Sequence, residues 1–495
     1  MKTLVERISL RKRLALEVSR QVRENNKKLH PLRQLFWECT QRCNIRCKHC
    51  GSDCKSTAEI PDMPAADFLR VIDSLTPHVN PHEVNIIFTG GEPLVRKDLE
   101  EVGQALYHRG YPWSMVTNGL YLTDSRLQHL LKAGVHSITI SLDGFADDHN
   151  WLRGHPQSYQ QAMHAIRMLA REQQLTWDVV TCVNRRNYSY LEQLKDSLYE
   201  AGVRHWRLFT IFPVGRAAHY PDFQLEDKDF NGLMEFIRQT RQEGKIMASY
   251  GCEGFLGSYE AEVRDGFYTC NAGISVASVL ADGSISACPS IRSNYSQGSI
   301  YKDDFMEVWE NRFQPFRDRS WMKKGACASC SFFRYCEGNG MHLHDNNGEL
   351  SCFKSALLFY LRESHPHMAD DKGFIRERAD SAAEAYEHAI RDGLSVRQAL
   401  EQADAVLYQD LRFSRFDTVF EVVSEWFPEV RPERRTDFCL KVLSPAEAVF
   451  GKYSIDDRFE SSPACHTLTV ELTGFIQSYI CLLYTSPSPR DRTRS

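Results

Sequence analysis

Nothing in the chain approaches the run of about eighteen apolar residues that a membrane-spanning helix requires. The amino terminus, MKTLVERISLRKRLALEVSR, is broken by charge every few positions. That excludes a secretory-signal core and makes a cytoplasmic location the expectation. Net charge is only −5 over 495 residues, so bulk charge offers no case for a nucleic-acid partner. Hydrophobic content of 42% and charged content of 25% are those of an ordinary folded protein, and the length allows two or three domains. Cysteine is what the chain does not lack: there are 16. Thiols stay reduced in the expected compartment, so they read as metal ligands before disulfides. Ten fall into spaced groups, and Cys39, Cys54, Cys182, Cys439, Cys465 and Cys481 stand outside them.

The tightest group is Cys43, Cys47 and Cys50, at C-x3-C-x2-C spacing directly after the apolar-aromatic run Leu35-Phe36-Trp37. Iron–sulfur clusters are held by thiolates, normally four for a cubane. Three close thiolates can fix three irons and leave the fourth open to an outside ligand. Zinc is the competing chemistry, but its cysteine pairs are usually C-x2-C and come twice to close a tetrahedron. Cys39 and Cys54 are near enough in sequence to complete four ligands. An unpaired cysteine more often packs as a small hydrophobe, and both are left out on that ground.

Residues 1–34 carry ten Lys or Arg against three Glu, with apolar residues at helical spacing. They are expected to form a basic helix packed on the main domain, with a membrane surface or an acidic peptide as the other partner such a helix suits. From Leu35 the pattern alternates. Strand-like runs fall at 35–40, 84–89, 113–117, 137–142, 177–183 and 205–212. Helical stretches follow near 65–76, 98–109, 124–133, 158–172, 189–201 and 226–243. Such alternation predicts βαβ units and a parallel sheet, as an open doubly wound sheet or an incomplete β/α barrel. In both, the loops at the carboxyl ends of strands build the site. The cysteine loop lies at such an end. So do Thr89-Gly90-Gly91-Glu92-Pro93, Thr117-Asn118-Gly119 and Ser141-Leu142-Asp143-Gly144, the last followed by Arg153-Gly154. Singly each is a turn; in the Gly-Gly loop the backbone can approach a ligand closely and the carboxylate can accept from an ammonium group.

Taken in order, CNIRCKHC, TGGEP, TNG, SLDG with a following RG, and Val183-Asn184 resemble the radical S-adenosylmethionine (SAM) enzymes over residues 35–215. The resemblance implies a partial (β/α)6 barrel over 35–245. It implies a 4Fe–4S cluster on Cys43, Cys47 and Cys50 whose free iron chelates SAM, with one electron cleaving SAM to methionine and a 5′-deoxyadenosyl radical. It places Gly90, Gly91 and Glu92 at the methionine amino group and His49 on the adenine side. Ser141, Asp143, Arg153 and Asn184 then face the ribose and carboxylate.

A second cysteine field, Cys252, Cys270, Cys288, Cys327, Cys330, Cys336 and Cys352, resembles the SPASM extension of radical SAM peptide-modifying enzymes, here over 246–363. That extension implies one or two auxiliary 4Fe–4S clusters, with Cys327, Cys330, Cys336 and Cys352 completing one. The family pattern continues C-x3-C after Cys336, where this chain has Gly340. The other cluster is then short of a ligand: Cys252, Cys270 and Cys288 hold it with an open iron, or with His342 or His344, or it is absent. Zinc also suits the C-x2-C pair, and only the adjoining core tips it toward iron. The segments CEGFLG, RDGFYTC and CEGNGMHLH are most similar to a subgroup acting with a small lipoprotein.

After a polar, Pro-containing linker from Ser364, residues 375–480 predict a mostly helical module, with helical spacing over Ser381–Leu407, Asp417–Trp426 and Cys439–Leu443. Residues 481–495, rich in Pro, Ser and Arg, read as non-native tail. The expected function is radical SAM modification of a ribosomally made peptide or protein, a lipoprotein precursor among the candidates, with flavodoxin or ferredoxin as electron donor. A maturase for a sulfatase or a peptide-derived cofactor shares this core. A non-catalytic metal sensor would need none of the strand-end motifs.

Overall fold

The computed structural model describes residues 8, 10–52, 54–58, 60–212, 215–220, 223–225, 227–251, 254–291, 296–323, 327, 330, 332–343, 357, 360–361, 364–392, 394, 396–411, 413–431, 434–456, 459 and 462–485. The chain divides into two compact units, Met1–Cys352 and Phe353–Ser495.

In the first unit the strands β1 Gln34–Thr40, β2 Asn85–Gly90, β3 Trp113–Thr117, β4 Val135–Ser141, β5 Thr176–Val183 and β6 His205–Thr210 run in sequence order. Every neighbouring pair among them is parallel. Helices α2 Ala65–Leu75, α3 Leu99–His108, α4 Asp124–Lys132, α6 Ser158–Leu169, α7 Leu191–Glu200 and α8 Asp227–Glu243 alternate with them. An extra helix, α5 Ala146–Arg153, falls where only the Asp143 and Arg153 motifs were noted. Its acidic first turn and short polar run hide it from a search for apolar periodicity.

Apolar side chains fill the helix-facing side of the strands, while the other side carries hydrogen-bonded polar groups, among them Ser114 with Asn85 and Thr139 with Asp178. Trp37 is opposite Phe88 across β1 and β2, and Phe88 opposite Met115 across β2 and β3. The Trp37 ring stacks on Phe68 of α2 at 4.4 Å, and both are fully buried. β1 and β6 stand at opposite ends of this run, yet the loop after β6 touches the loop after β1: Arg216 N donates to Cys50 O at 3.0 Å. The six strands therefore curl into a partial barrel with the cysteine loop at its mouth.

The sheet does not stop at six strands. β7 Met247–Tyr250 adds parallel to β6, and β8 Val276–Val279 adds parallel to β1. β9 Ser284–Ser286 and β10 Gly298–Ser299 continue antiparallel, so the order is β10-β9-β8-β1-β2-β3-β4-β5-β6-β7. These strands have two to four residues, too few for a period to show in sequence. The basic helix α1 Leu10–Leu29 packs Leu16 against Tyr335, donates from Arg23 Nη2 to Arg334 O at 2.6 Å, and pairs Lys27 with Glu337.

The second unit is helical: Lys372–Arg391, Val396–Leu407, Arg415–Trp426, Arg435–Phe450 and Pro463–Thr485. The single stretch expected over Ser381–Leu407 is two helices meeting near Leu394, because helical spacing persists across a short turn. The last helix has a core side of Leu468, Leu472, Ile476 and Ile480 and runs past 481, the expected start of the tail. No helix among the described residues is long and apolar enough to cross a membrane.

Candidate active site

The cysteine loop leaves β1 and is packed by its neighbours. Cys43 and Cys47 are buried with Ile45, and Cys50 and Leu120 lie against them. Cys54, set aside on sequence, is 4% exposed in the same apolar group. Its thiol is raised and that of Cys50 lowered, first because Cys54 hydrogen-bonds Cys50. Cys39 is different: its Sγ donates to Thr89 O at 3.3 Å, and burial pushes the thiol up.

The two glycines at the end of β2 are needed by the cysteine loop itself. A Cβ on Gly90, at φ +122°, would stand 2.1 Å from Thr40 O, and one on Gly91 would stand 2.1 Å from Arg42 O. Their absence lets Gly91 N donate to Thr40 O at 2.8 Å and Glu92 N to Arg42 O at 3.0 Å. Glu92 is 1% exposed. It accepts from Thr117 Oγ1 at 2.7 Å, Leu94 N at 3.1 Å and Asn118 N at 2.8 Å. Burial nonetheless raises its carboxyl. A carboxylate has about four acceptor positions, so one on Oε2 remains for an incoming donor. Asn118, which reads as part of a plain turn, also donates to Asn44 Oδ1 at 2.8 Å, and so ties the β3 loop to the cysteine loop.

On the other side, β4 ends at buried Ser141, and Asp143 follows. Asp143 Oδ2 accepts from Arg153 Nε at 2.6 Å and Oδ1 from Cys182 N at 2.8 Å. Burial, the largest single influence, would raise this carboxyl, but the Arg153 charge and hydrogen bond, with the nearby His49 and His149 rings, together hold it at about 2. Arg153 Nη1 lies 3.9 Å from Cys47 Sγ. His49 is lowered to about 4, first by burial and then by Arg153, so its ring is neutral at pH 7. Asn184 spends its side chain on the β5 turn: Nδ2 donates to Cys182 O at 3.2 Å, and Oδ1 accepts from Arg186 N at 2.9 Å.

Two observations test whether these residues suit a cluster with SAM. His49 Nδ1 and Asn44 Nδ2, both on the cysteine loop, are buried without a hydrogen-bond partner, as a polar ligand would require. The thiol spacing also discriminates. Zn–S bonds of about 2.3 Å hold tetrahedral sulfurs roughly 3.8 Å apart. Among the described residues, the group of ligand atoms lying within 4.8 Å of one another is His49, Asp143 and Cys182; the three loop thiols do not meet that spacing. Not all three thiols lie that close together, so they do not form a closed zinc-type set, and cysteine thiolates are the donors an iron–sulfur cubane takes.

In the second field, Cys270 is 5% exposed, and Arg319 Nη2 donates to its carbonyl at 3.0 Å. Cys288 is half-buried and Cys330 exposed. Cys336 is pushed up to about 11, first by burial and then by neighbouring Cys327. Gly340 is buried in the turn after Cys336, and the His342 ring meets Phe212 edge-on at 5.5 Å. Cys252, Cys352 and His344 lie outside the described residues.

Comparison with known proteins agrees with this geometry. Residues 37–198 match the radical SAM superfamily, 270–331 an iron-sulfur cluster-binding domain (SPASM), and 345–482 a domain of unknown function, DUF1896. The chain is 26% identical over 328 residues to an AdoMet-dependent heme synthase of Methanosarcina barkeri, covering 62% of this chain and 90% of that one. It is 28% identical over 316 residues to the mycofactocin maturase MftC of Mycolicibacterium smegmatis, covering 62% and 77%. Its fold is similar to SuiB of Streptococcus suis bound to S-adenosylmethionine, with TM-score 0.51 at 17% identity over 62% of this chain and 72% of that one. The chain thus carries a radical SAM domain over residues 37–198, followed by a SPASM iron–sulfur cluster-binding domain over 270–331.

Proposed function

We propose that this radical SAM enzyme is a maturase that modifies a ribosomally synthesised peptide or small protein. The reading is carried by one juxtaposition: three thiols of one loop between the Glu92–Asn118 bracket and the buried Asp143–Arg153 pair, in a chain with a second cysteine field. Cys43, Cys47 and Cys50 hold the SAM-binding cluster. Glu92 keeps an acceptor for the methionine ammonium, presented by the Gly90–Gly91 backbone. Ser141, Asp143 and Arg153 line the ribose and carboxylate side, with Asn184 shaping the β5 turn behind them, and the unpartnered Nδ1 of neutral His49 accepts on the adenine side. Cys327, Cys330, Cys336 and Cys352 hold one auxiliary cluster and Cys252, Cys270 and Cys288 another. When bound, the cluster and SAM would supply one-electron cleavage and hydrogen-abstraction chemistry toward the substrate, with flavodoxin or ferredoxin as the electron donor. Arg153 keeps Asp143 ionised, and burial excludes water from the loop.

Support for a peptide comes from the likeness to MftC, a maturase by name. A second reading, a porphyrin-type substrate, is favoured by the likeness to the heme synthase, whose length is 90% covered. Anaerobic reconstitution followed by dithionite, SAM and either short peptides encoded beside the gene or a porphyrin panel separates them. 5′-Deoxyadenosine with a peptide mass change supports the proposal. Porphyrin turnover with peptides unchanged overturns it, as does zinc uptake without SAM cleavage.

A further inference from the structure

Gly215–His219 forms a short 3-10 turn beyond β6, at the mouth of the barrel. Gly215 has φ +58°, and a Cβ there would stand 2.6 Å from Cys50 O and 2.7 Å from Gly51 O. Arg216, 8% exposed, follows. Its N donates to Cys50 O at 3.0 Å, its Nε to Cys47 O at 2.7 Å and its Nη1 to Cys54 O at 3.2 Å. One residue thus holds the carbonyls at the start, middle and end of the segment 47–54. Ala217 anchors the turn in an apolar cluster with Leu152, Ile211 and Phe223, and Leu152 O in turn accepts Lys48 N at 2.8 Å.

We propose that Gly215 and Arg216 are a positioning clasp that spans the open side of the barrel and presets the cysteine loop for cluster uptake. β1 and β6 are not neighbours in the sheet, so no ladder of backbone hydrogen bonds holds their carboxyl ends together. A loop carrying three ligands must otherwise be ordered when the metal arrives, and that ordering subtracts from binding. The clasp orders it beforehand through the backbone, which fixes where the thiols point. The guanidinium is suited to this because its planar fork reaches two carbonyls at once, whereas an ammonium is a single point. Gly215 is suited because its φ and its contact with Cys50 O both exclude a side chain.

The test uses hydrogen–deuterium exchange on the full-length apo-protein, then iron content and EPR after anaerobic reconstitution. Arg216→Met is expected to speed exchange at least about tenfold in peptides spanning 43–55 while β2–β5 stay within about twofold of the parent. It should then take up about four fewer irons per chain, the content of one cubane, and lose the EPR signal that SAM perturbs. Arg216→Lys should give intermediate exchange. Parental exchange and iron content in Arg216→Met overturn the clasp. Exchange that rises equally across β1–β6 also overturns it, because Arg216 would then serve general stability. The clasp depends on the cluster and not on the substrate, so failure of the peptide assay leaves this result standing.

Discussion

Replacing Asp143 by Asn removes the charge from a pair whose side chains are 10% (Arg153) and 0% (Asp143) exposed. The depression of Asp143 from 3.8 to about 2 corresponds to roughly 2 kcal/mol at 1.36 kcal/mol per unit. The amide cannot neutralise Arg153, which stays buried beside Cys47, so the whole cost should reach about 3–5 kcal/mol. Urea denaturation of the apo-protein followed by tryptophan fluorescence reports this, because seven of the eight tryptophans lie in the first unit. The sign with pH follows from the depressed carboxyl. Its stabilisation is present above pH 3.8 and is lost as pH falls toward 2, so parent and variant should converge in that window. A double variant, Asp143→Asn with Arg153→Met, should recover part of the loss, since an apolar replacement of a buried pair is often close to neutral. A shift below about 1 kcal/mol at pH 7, or a double variant whose loss equals the sum of the two singles, would refute the claim that this pair acts as a unit.

Cys47→Ala should abolish 5′-deoxyadenosine formation from SAM, whereas Cys336→Ala should keep some uncoupled cleavage and lose product; chromatography of both products checks this. Gly91→Ala puts a methyl 2.1 Å from Arg42 O, which backbone cannot yield without shifting, so iron uptake by the cysteine loop should fall sharply in a reconstitution assay. Arg23→Ala removes a buried guanidinium that donates to Arg334 O and Tyr335 O. Charge-assisted bonds of this kind contribute about 1.5–3 kcal/mol each, and limited proteolysis should then cut α1 before the barrel.

The strand ends were legible because each motif carries its own punctuation. Thr89-Gly90-Gly91-Glu92 closes β2 and Ser141 closes β4 within a residue or so of expectation. The reason for the glycines was not legible. They yield to the cysteine loop's carbonyls, a contact between segments fifty residues apart. Arg216 escaped notice on the same ground, and the parts played by Asn118 and Cys54, a plain turn and a set-aside thiol in sequence, were hidden likewise: each acts on the loop through a partner distant in the chain or hidden in a turn, and neither spacing nor periodicity reports that.

By itself the sequence determined the alternation of strands and helices, the three-thiol loop and the strand-end order, because each depends on residues near one another in the chain. Only the tertiary structure decided that β8 extends the sheet beside β1, that Glu92 spends most of its acceptors on the β3 loop, and that a residue after β6 grips the cysteine loop. Those outcomes depend on which backbone groups meet when the sheet curls, and chain-local chemistry carries no record of that meeting.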